Sequence, residues 1–405
     1  MKLSQLKTLA ARQEKELLET KRLIEQLSAN TEKNYSSFAE DRPYAFNAEG
    51  LSPSELINEC TTSLNRHGFT VIENIIPAEK VAPIREEIES AEIKIERNLS
   101  AIKELESTGN STINPEIQLR PVRRKGYPMK APNDIIWMPQ FAKQLANPLV
   151  TSLARRILDD HLRIAQLHLR IIDPDQENQP GGHGLIDIRG ANTRGWHADW
   201  PHDLSAYGGN DPLKNAGCIR QPFPDVAMCL VMIWYLTDVD SESGGTWAVP
   251  GSHKDHRNPR GPQDNINPIA PIPGEIQITA PAGSVFIQDS RSWHSSPKHN
   301  NRHRRVAVVN RWCPWWLAVD DFAPGETYNT NMICRPLSLE EYRSLPTALQ
   351  PLMRHLCPDE KDTLQQPVLD RSQAAANIDK EGIHQRKEDP ESLGKSNSHI
   401  KVNPS

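Results

Sequence analysis

From about Arg163 to Arg311 the chain is a succession of short runs of branched and aromatic residues cut by Gly, Pro, Asn and Asp. The clearest runs are Ile164–Ile172, Val226–Leu236, Gly283–Gln288 and Arg305–Trp312. Runs of this length and composition read as strands, and many short strands with turn signals between them suit a sandwich or a jelly-roll barrel. The expected class is mainly β with flanking helices.

Helical patterning lies on the N-terminal side of this block. A stripe of Val81, Ile84, Ile88, Ala91, Ile95, Ile102 and Leu105 predicts a helix from about Glu79 to Glu106, and His67–Pro77 reads as a turn followed by a buried strand. Residues 1 to about 30 place Leu3, Leu6, Ala10, Leu17, Ile24 and Leu27 at helical spacing, with Gln13 and Thr20 interrupting the seam. Two roles stay open for that helix: packing on its own domain, or homo-oligomerisation as a coiled coil. From about Asp359 onward the chain is polar, charged and almost free of aromatics, so it cannot bury enough apolar surface to offset ordering. The expected organisation is a helical extension over residues 1–45, a β-rich domain over 46–358 and a disordered tail over 359–405.

Composition removes several functions. A net charge of -5 leaves no basic footprint for nucleic acid or an anionic membrane. No apolar run approaches the roughly eighteen residues a membrane span needs, and the first residues lack the apolar core of a signal peptide. The six cysteines are scattered with no CxxC pair, which fits reduced thiols in a cytoplasmic protein better than disulfides or zinc. A small-molecule substrate is the expected partner.

The chemistry-bearing residues are His197 and Asp199, one residue apart in Arg194-Gly-Trp-His-Ala-Asp-Trp200, and His294 far downstream in Asp289–Pro297. In strand alternation, residues two apart share a face, so His197 and Asp199 can present both side chains to one interior point. Two imidazoles and a carboxylate form the facial triad that holds non-haem Fe(II) with open positions. An isolated His-x-Asp is weak, since many structural histidines lie two residues from an acid. The accompanying features carry more weight: Gly244–His253 with its paired glycines, His294 after the Gly283–Gln288 run, and Ser296 and Arg305 two and eleven residues beyond His294.

Together with the opening His67-Gly-Phe-Thr-Val-Ile72, this ordered set resembles the phytanoyl-CoA dioxygenase superfamily over roughly Leu56 to Trp316. The resemblance implies a double-stranded β-helix (jelly-roll, cupin-like) core and an enzyme that uses Fe(II), 2-oxoglutarate and O2, releasing succinate and CO2. It makes His197, Asp199 and His294 the iron ligands and catalytic centre. It also makes Arg305 the guanidinium that grips the distal carboxylate of 2-oxoglutarate, with Ser296 assisting. A planar guanidinium fork suits bidentate carboxylate recognition. Among Arg302, Arg304 and Arg305, strand alternation puts Arg305 on one face with Ala307 and Val309, and Arg304 on the other.

Further co-substrate or substrate contacts fall on Gln166, His168 and Arg170, spaced by two on the strand before the motif, and on Thr246 beside the glycines. A half-exposed strand would show the same alternation. Trp196, Trp200, Trp247, Trp293 and Trp312 gather around the motifs as core packing or as a dry wall. Arg123–Lys130 is a basic run read as a solvated face or a lid for an anionic substrate, and His183 and His202 are loop candidates for substrate contact. In related halogenases a small residue replaces the carboxylate ligand. With Asp199 present, hydroxylation, desaturation or ring closure is favoured, and hydroxylation of an aliphatic carbon of a metabolite or natural product is the leading expectation. The rivals are a cupin-like hydrolase or isomerase and a catalytically inactive jelly roll acting through its N-terminal helix.

Overall fold

Ser52 and Glu55 form a reciprocal capping box, and Pro53 takes the first helical turn, where its missing N–H leaves no bond unmade. The computed structural model describes residues 42–108, 132–172, 194–199, 201–202, 219, 222–241, 243–259, 265–295, 303–317 and 337–357. In it this box starts helix α1 (Pro53–His67), which follows a short strand β1 (Ala45–Asn47). The chain then forms β2 (Phe69–Glu73), α2 (Ala78–Thr108), α3 (Pro139–Leu145) and α4 (Pro148–Ile157). The expected 79–106 helix and the buried strand after His67 are both present. Helices α1, α3 and α4 went unread although each carries a proline in its first turn, and Ser52 and Asn147 are visible caps.

The β block comprises β3 (Leu162–Ile172), β4 (Leu230–Tyr235), β5 (Trp247–Ala248), β6 (Ile276–Gln277), β7 (Val285–Asp289), β8 (His294–Ser295) and β9 (Arg305–Pro314). Two short helices, α5 (Leu339–Ser344) and α6 (Gln350–Met353), close the described part. The four runs singled out from sequence lie within or across β3, β4, β7 and β9. Six strands form one sheet in the order β1-β2-β7-β4-β9-β3, antiparallel except for the β1–β2 pair, and β6-β5-β8 form a second. Residues 1–41 of the helical extension expected over 1–45, the Arg123–Lys130 run and the 359–405 tail lie outside the described residues.

Alternation divides the large sheet into two faces. Ile72, Leu230, Met232, Trp234, Val285, Ile287, Val306, Val308 and Trp312 join α1–α4 residues such as Leu56, Ile84, Ile88, Phe141 and Leu153 in the larger core. Trp234 meets Phe141 edge to face at 5.9 Å, and its indole N–H donates to Asn310 Oδ1 at 2.8 Å. The other face buries Phe69, Val71, Tyr235, Phe286 and Ala307 against Ala248, Ile278 and Ala280 from the second sheet and its flanks. Helices therefore cover one face, and the second sheet covers the other.

One correction concerns the His-x-Asp segment. Residues 194–199 form no ladder strand; a single antiparallel bridge joins His197 to His294. The segment is still hydrogen-bonded on both sides, with Trp196 N–H to Pro268 O (2.8 Å), His197 N–H to His294 O (3.1 Å) and Asp199 N–H to Ser290 O (2.7 Å). Beyond the two residues of β8 its neighbours are loops, which cannot extend a regular ladder.

Gly68 ties the helical layer to this region. It caps α1 at φ 87°, and its carbonyl accepts from the Asp289 amide (2.8 Å) and the Ser292 hydroxyl (3.0 Å). A Cβ there would lie 2.5 Å from Ser292 Oγ and 2.6 Å from His253 Nδ1. Gly68→Ala is therefore expected to destabilise the protein by about 2 kcal/mol or more, combining left-handed backbone cost with the clash. Thermal unfolding should show a fall of at least about 4 °C; an unchanged transition would mean that the turn shifts freely.

Candidate active site

His294 is delivered by the turn after β7. Ser292 N–H bonds Asp289 O at 2.9 Å, Trp293 N–H bonds Ser252 Oγ at 2.8 Å, and the Asp289 carboxylate pairs with the buried Arg291 guanidinium at 2.7 Å. His197 is brought alongside by a reciprocal backbone pair, His294 N–H returning a bond to His197 O at 3.0 Å. The two imidazole centroids are 4.2 Å apart, inclined at 46°.

Each imidazole is oriented through its other nitrogen. His197 Nδ1 lies 2.8 Å from Gly195 O and His294 Nδ1 lies 3.0 Å from Ser292 O. A carbonyl only accepts, so in a neutral ring Nδ1 carries the proton and Nε2 keeps its lone pair for a metal. Asp199 Oδ2 is 3.4 Å from His294 Nε2, and Oδ1 is 3.9 Å from His197 Nε2. One ligand atom from each of the three falls within 4.8 Å of the others, and the residues are 3%, 5% and 6% exposed for His197, Asp199 and His294. Two nitrogen donors and one carboxylate converging from one side suit a divalent first-row metal with open positions. Burial pushes the Asp199 carboxyl up, yet Arg311, with His294 and Arg170, overcomes it and leaves Asp199 below its ordinary range.

Arg311 was not foreseen. Its Nη2 donates to Asp199 Oδ1 at 2.7 Å and its Nη1 to Gln166 Oε1. The signal was in the sequence: Arg311 is six residues from Arg305, hence on the same face of β9. Gln166 pairs in register with Arg311, and His168 and Arg170 take the registers opposite Val309 and Ala307. Arg304 turns to the helix side and pairs with Glu92 at 2.7 Å and Glu89 at 3.4 Å. Arg305, on the opposite face, donates to Gly244 O. The paired glycines are explained by crowding, since a Cβ on Gly245 would lie 1.9 Å from Ile278 O. Thr246 is buried beside them. Ser296, Arg302, His183 and Trp200 lie outside the described residues.

The tryptophans divide. Trp312 belongs to the helix-side core, because it is one residue out of phase with Arg305 and Arg311, so it is no wall of the site. Trp196 is fully buried and donates to Ala270 O at 2.8 Å. Trp247 stacks under the Arg194 guanidinium at 3.9 Å, and Arg257 lies over Trp293 at 5.4 Å.

Residues 64–307, more than half of the chain, match the phytanoyl-CoA dioxygenase (PhyH) family. The chain belongs to this family. Like the family, it is a 2-oxoglutarate-dependent non-haem iron dioxygenase, with Fe(II), 2-oxoglutarate and O2 as metal and co-substrates. This phytanoyl-CoA dioxygenase family member is similar to a probable alpha-ketoglutarate-dependent hypophosphite dioxygenase of Stutzerimonas stutzeri, 24% identical over 264 residues, covering 60% of this chain and 73% of the relative. Similar solved structures include the epimerase SnoN in complex with Fe3+, alpha ketoglutarate and nogalamycin RO, at 17% identity over 65% of this chain and 85% of that one (TM-score 0.39). HygX from Streptomyces hygroscopicus with nickel and 2-oxoglutarate bound matches at 14% identity over 66% and 88% (TM-score 0.39). No helix among the described residues is long and apolar enough to cross a membrane.

His202 is fully buried three residues beyond Asp199, with Nδ1 3.0 Å from Ser290 Oγ and its ring edge-on to Phe223. Burial, aided by Arg291 and opposed by Asp289 and Asp199, pushes its pKa down to about 4 from an ordinary 6.5. The unfolded chain then binds the proton that the folded one refuses, so stability present above pH 6.5 is lost as pH falls toward about 4. Metal-free His202→Gln protein should show a shallower decline of Tm across that window than the parent. Equal slopes would remove His202 from the titration.

Proposed function

We propose that the chain hydroxylates an aliphatic carbon of a small-molecule metabolite or natural product, on an iron held by His197, Asp199 and His294. The observation that carries this reading is the convergence of two correctly oriented imidazole nitrogens and an ionised carboxylate, all three buried. The two-sheet arrangement, with Arg305 on the enclosed face of β9, supports a double-stranded β-helix that encloses these residues. When bound, the metal with 2-oxoglutarate and O2 supplies the oxidising power, the co-substrate leaving as succinate and CO2.

The chain's own part is binding, orientation and exclusion of water. Backbone carbonyls of Gly195 and Ser292 fix the two rings, and Arg311 keeps Asp199 anionic against its burial. Arg305 is assigned to the distal carboxylate of 2-oxoglutarate, with Ser296, Gln166, His168 and Thr246 as further contacts. The retained carboxylate ligand favours hydroxylation, desaturation or ring closure over halogenation.

Mixed anaerobically with Fe(II) and 2-oxoglutarate, the folded protein should develop the weak visible charge-transfer band of the chelate. A folded sample without that band would sink the assignment. Asp199→Ala should abolish succinate release. Arg305→Ala, by losing a charge-assisted pair, should raise the 2-oxoglutarate requirement about 10- to 100-fold; an unchanged requirement would show that another residue grips the co-substrate. Succinate release scored across a metabolite collection identifies the substrate.

A further inference from the structure

Arg311 sits on the enclosed face of β9, between Val231 of β4 and Gln166 of β3 in register. Its guanidinium is divided between two oxygens from different elements. One is Asp199 Oδ1, at 2.7 Å, and the other is Gln166 Oε1. Asp199 and Gln166 are buried, and the Arg311 side chain is largely so. Water therefore competes weakly for these bonds, and the fixed fork of a guanidinium sets direction as well as charge.

The consequence lies in which carboxylate oxygen remains for a metal. Oδ1 is engaged by Arg311, whereas Oδ2 lies on the side of His294, 3.4 Å from Nε2. We propose that Arg311 is a positioning residue that confines Asp199 to ligation through Oδ2 alone, with Gln166 fixing the plane of the guanidinium. A carboxylate free to swing can ligate through both oxygens and take a position that the triad otherwise leaves open to exogenous ligands. Gln166 then acts on the metal through Arg311, a role distinct from touching the co-substrate. The inference rests on the ligand assignment made above.

Removing the guanidinium charge outright would confuse two effects, because it also relieves repulsion of a nearby cation. Arg311→Lys keeps the charge and loses the fork. Gln166→Leu keeps every charge and frees one end of the guanidinium. Each protein is titrated anaerobically with Co(II), reading its affinity and its d–d absorption, whose intensity and position report the number of donors. Thermal unfolding of the metal-free proteins checks that the fold persists.

Wild-type protein should bind Co(II). Arg311→Lys should bind it about 10- to 100-fold more weakly, the usual effect of losing an outer partner of a metal ligand, and with an altered d–d spectrum at little change in Tm. Gln166→Leu should move both readouts the same way by less, and it carries the test if the lysine variant does not fold. Wild-type affinity and spectrum in the folded variants would overturn the role of Arg311 and leave the ligand assignment standing. Failure of the wild-type protein to bind Co(II) would overturn the assignment itself, and this inference with it.

Discussion

The reciprocal backbone pair between His197 and His294 is what the site depends on. It consists of two hydrogen bonds, of 3.1 and 3.0 Å, between residues far apart in sequence. Because opposed residues of an antiparallel pair project to one side, those two bonds suffice to set both imidazoles together. Everything adjacent secures the pair: the Asp199 amide on Ser290 O, the Gly195 amide on Ser295 Oγ, and the cap of α1 holding the 289–292 turn from behind. No long strand is needed at the candidate site, since the large sheet holds its surroundings and a single bridge holds the two imidazoles together.

The face of the large sheet that meets the second sheet is apolar at one end and ionic at the other. Phe69, Val71, Phe286, Ile278 and Ala280 fill the first, while Asp199, Arg311 and Gln166 occupy the second. A buried ion pair returns little net stability after desolvation, yet removing one partner typically costs about 3–5 kcal/mol. Asp199 and Arg311 are thus a poor choice for holding the fold together and a good one for holding a carboxylate in one orientation. Within the second sheet, Gly245 lets the chain entering β5 approach Ile278 beside β6 to a distance no side chain would allow.

Much of this was legible in the sequence because it depends on periodicity. The strand runs fell at β3, β4, β7 and β9, and alternation along β9 separated Arg304, which faces the helices, from Arg305, which does not. The same alternation extended three steps beyond Arg305 reaches Arg311, but a metal-site motif directs attention to ligands and co-substrate anchors rather than to what holds a ligand. The irregular course of 194–199 was not legible, because its hydrogen bonds go to loops whose placement depends on the whole fold. The helix caps at Ser52 and Asn147 are legible too, although α1 and α4 carry shorter apolar stripes than α2.

Strand β3 shows where strict alternation misleads. Spacing by two puts Ile164 on the same face as Gln166, yet Ile164 lies in the helix-side core together with Leu162, Leu167 and Leu169. The register supplies the reason: Ile164 opposes Trp312 and Gln166 opposes Arg311, so β3 advances two residues while β9 advances one. The extra residue, Ala165, is a bulge that reverses the phase of the strand. Before it, Leu162 and Ile164 pack against helices; after it, Gln166 turns to the other face, where it meets Arg311. Were Ala165 paired as an ordinary ladder residue, Gln166 would share the face of Ile164 in the helical core and Arg311 would lose the group that fixes its plane. A small buried side chain at position 165 is thus part of how the site is aimed, although it touches none of the chemistry.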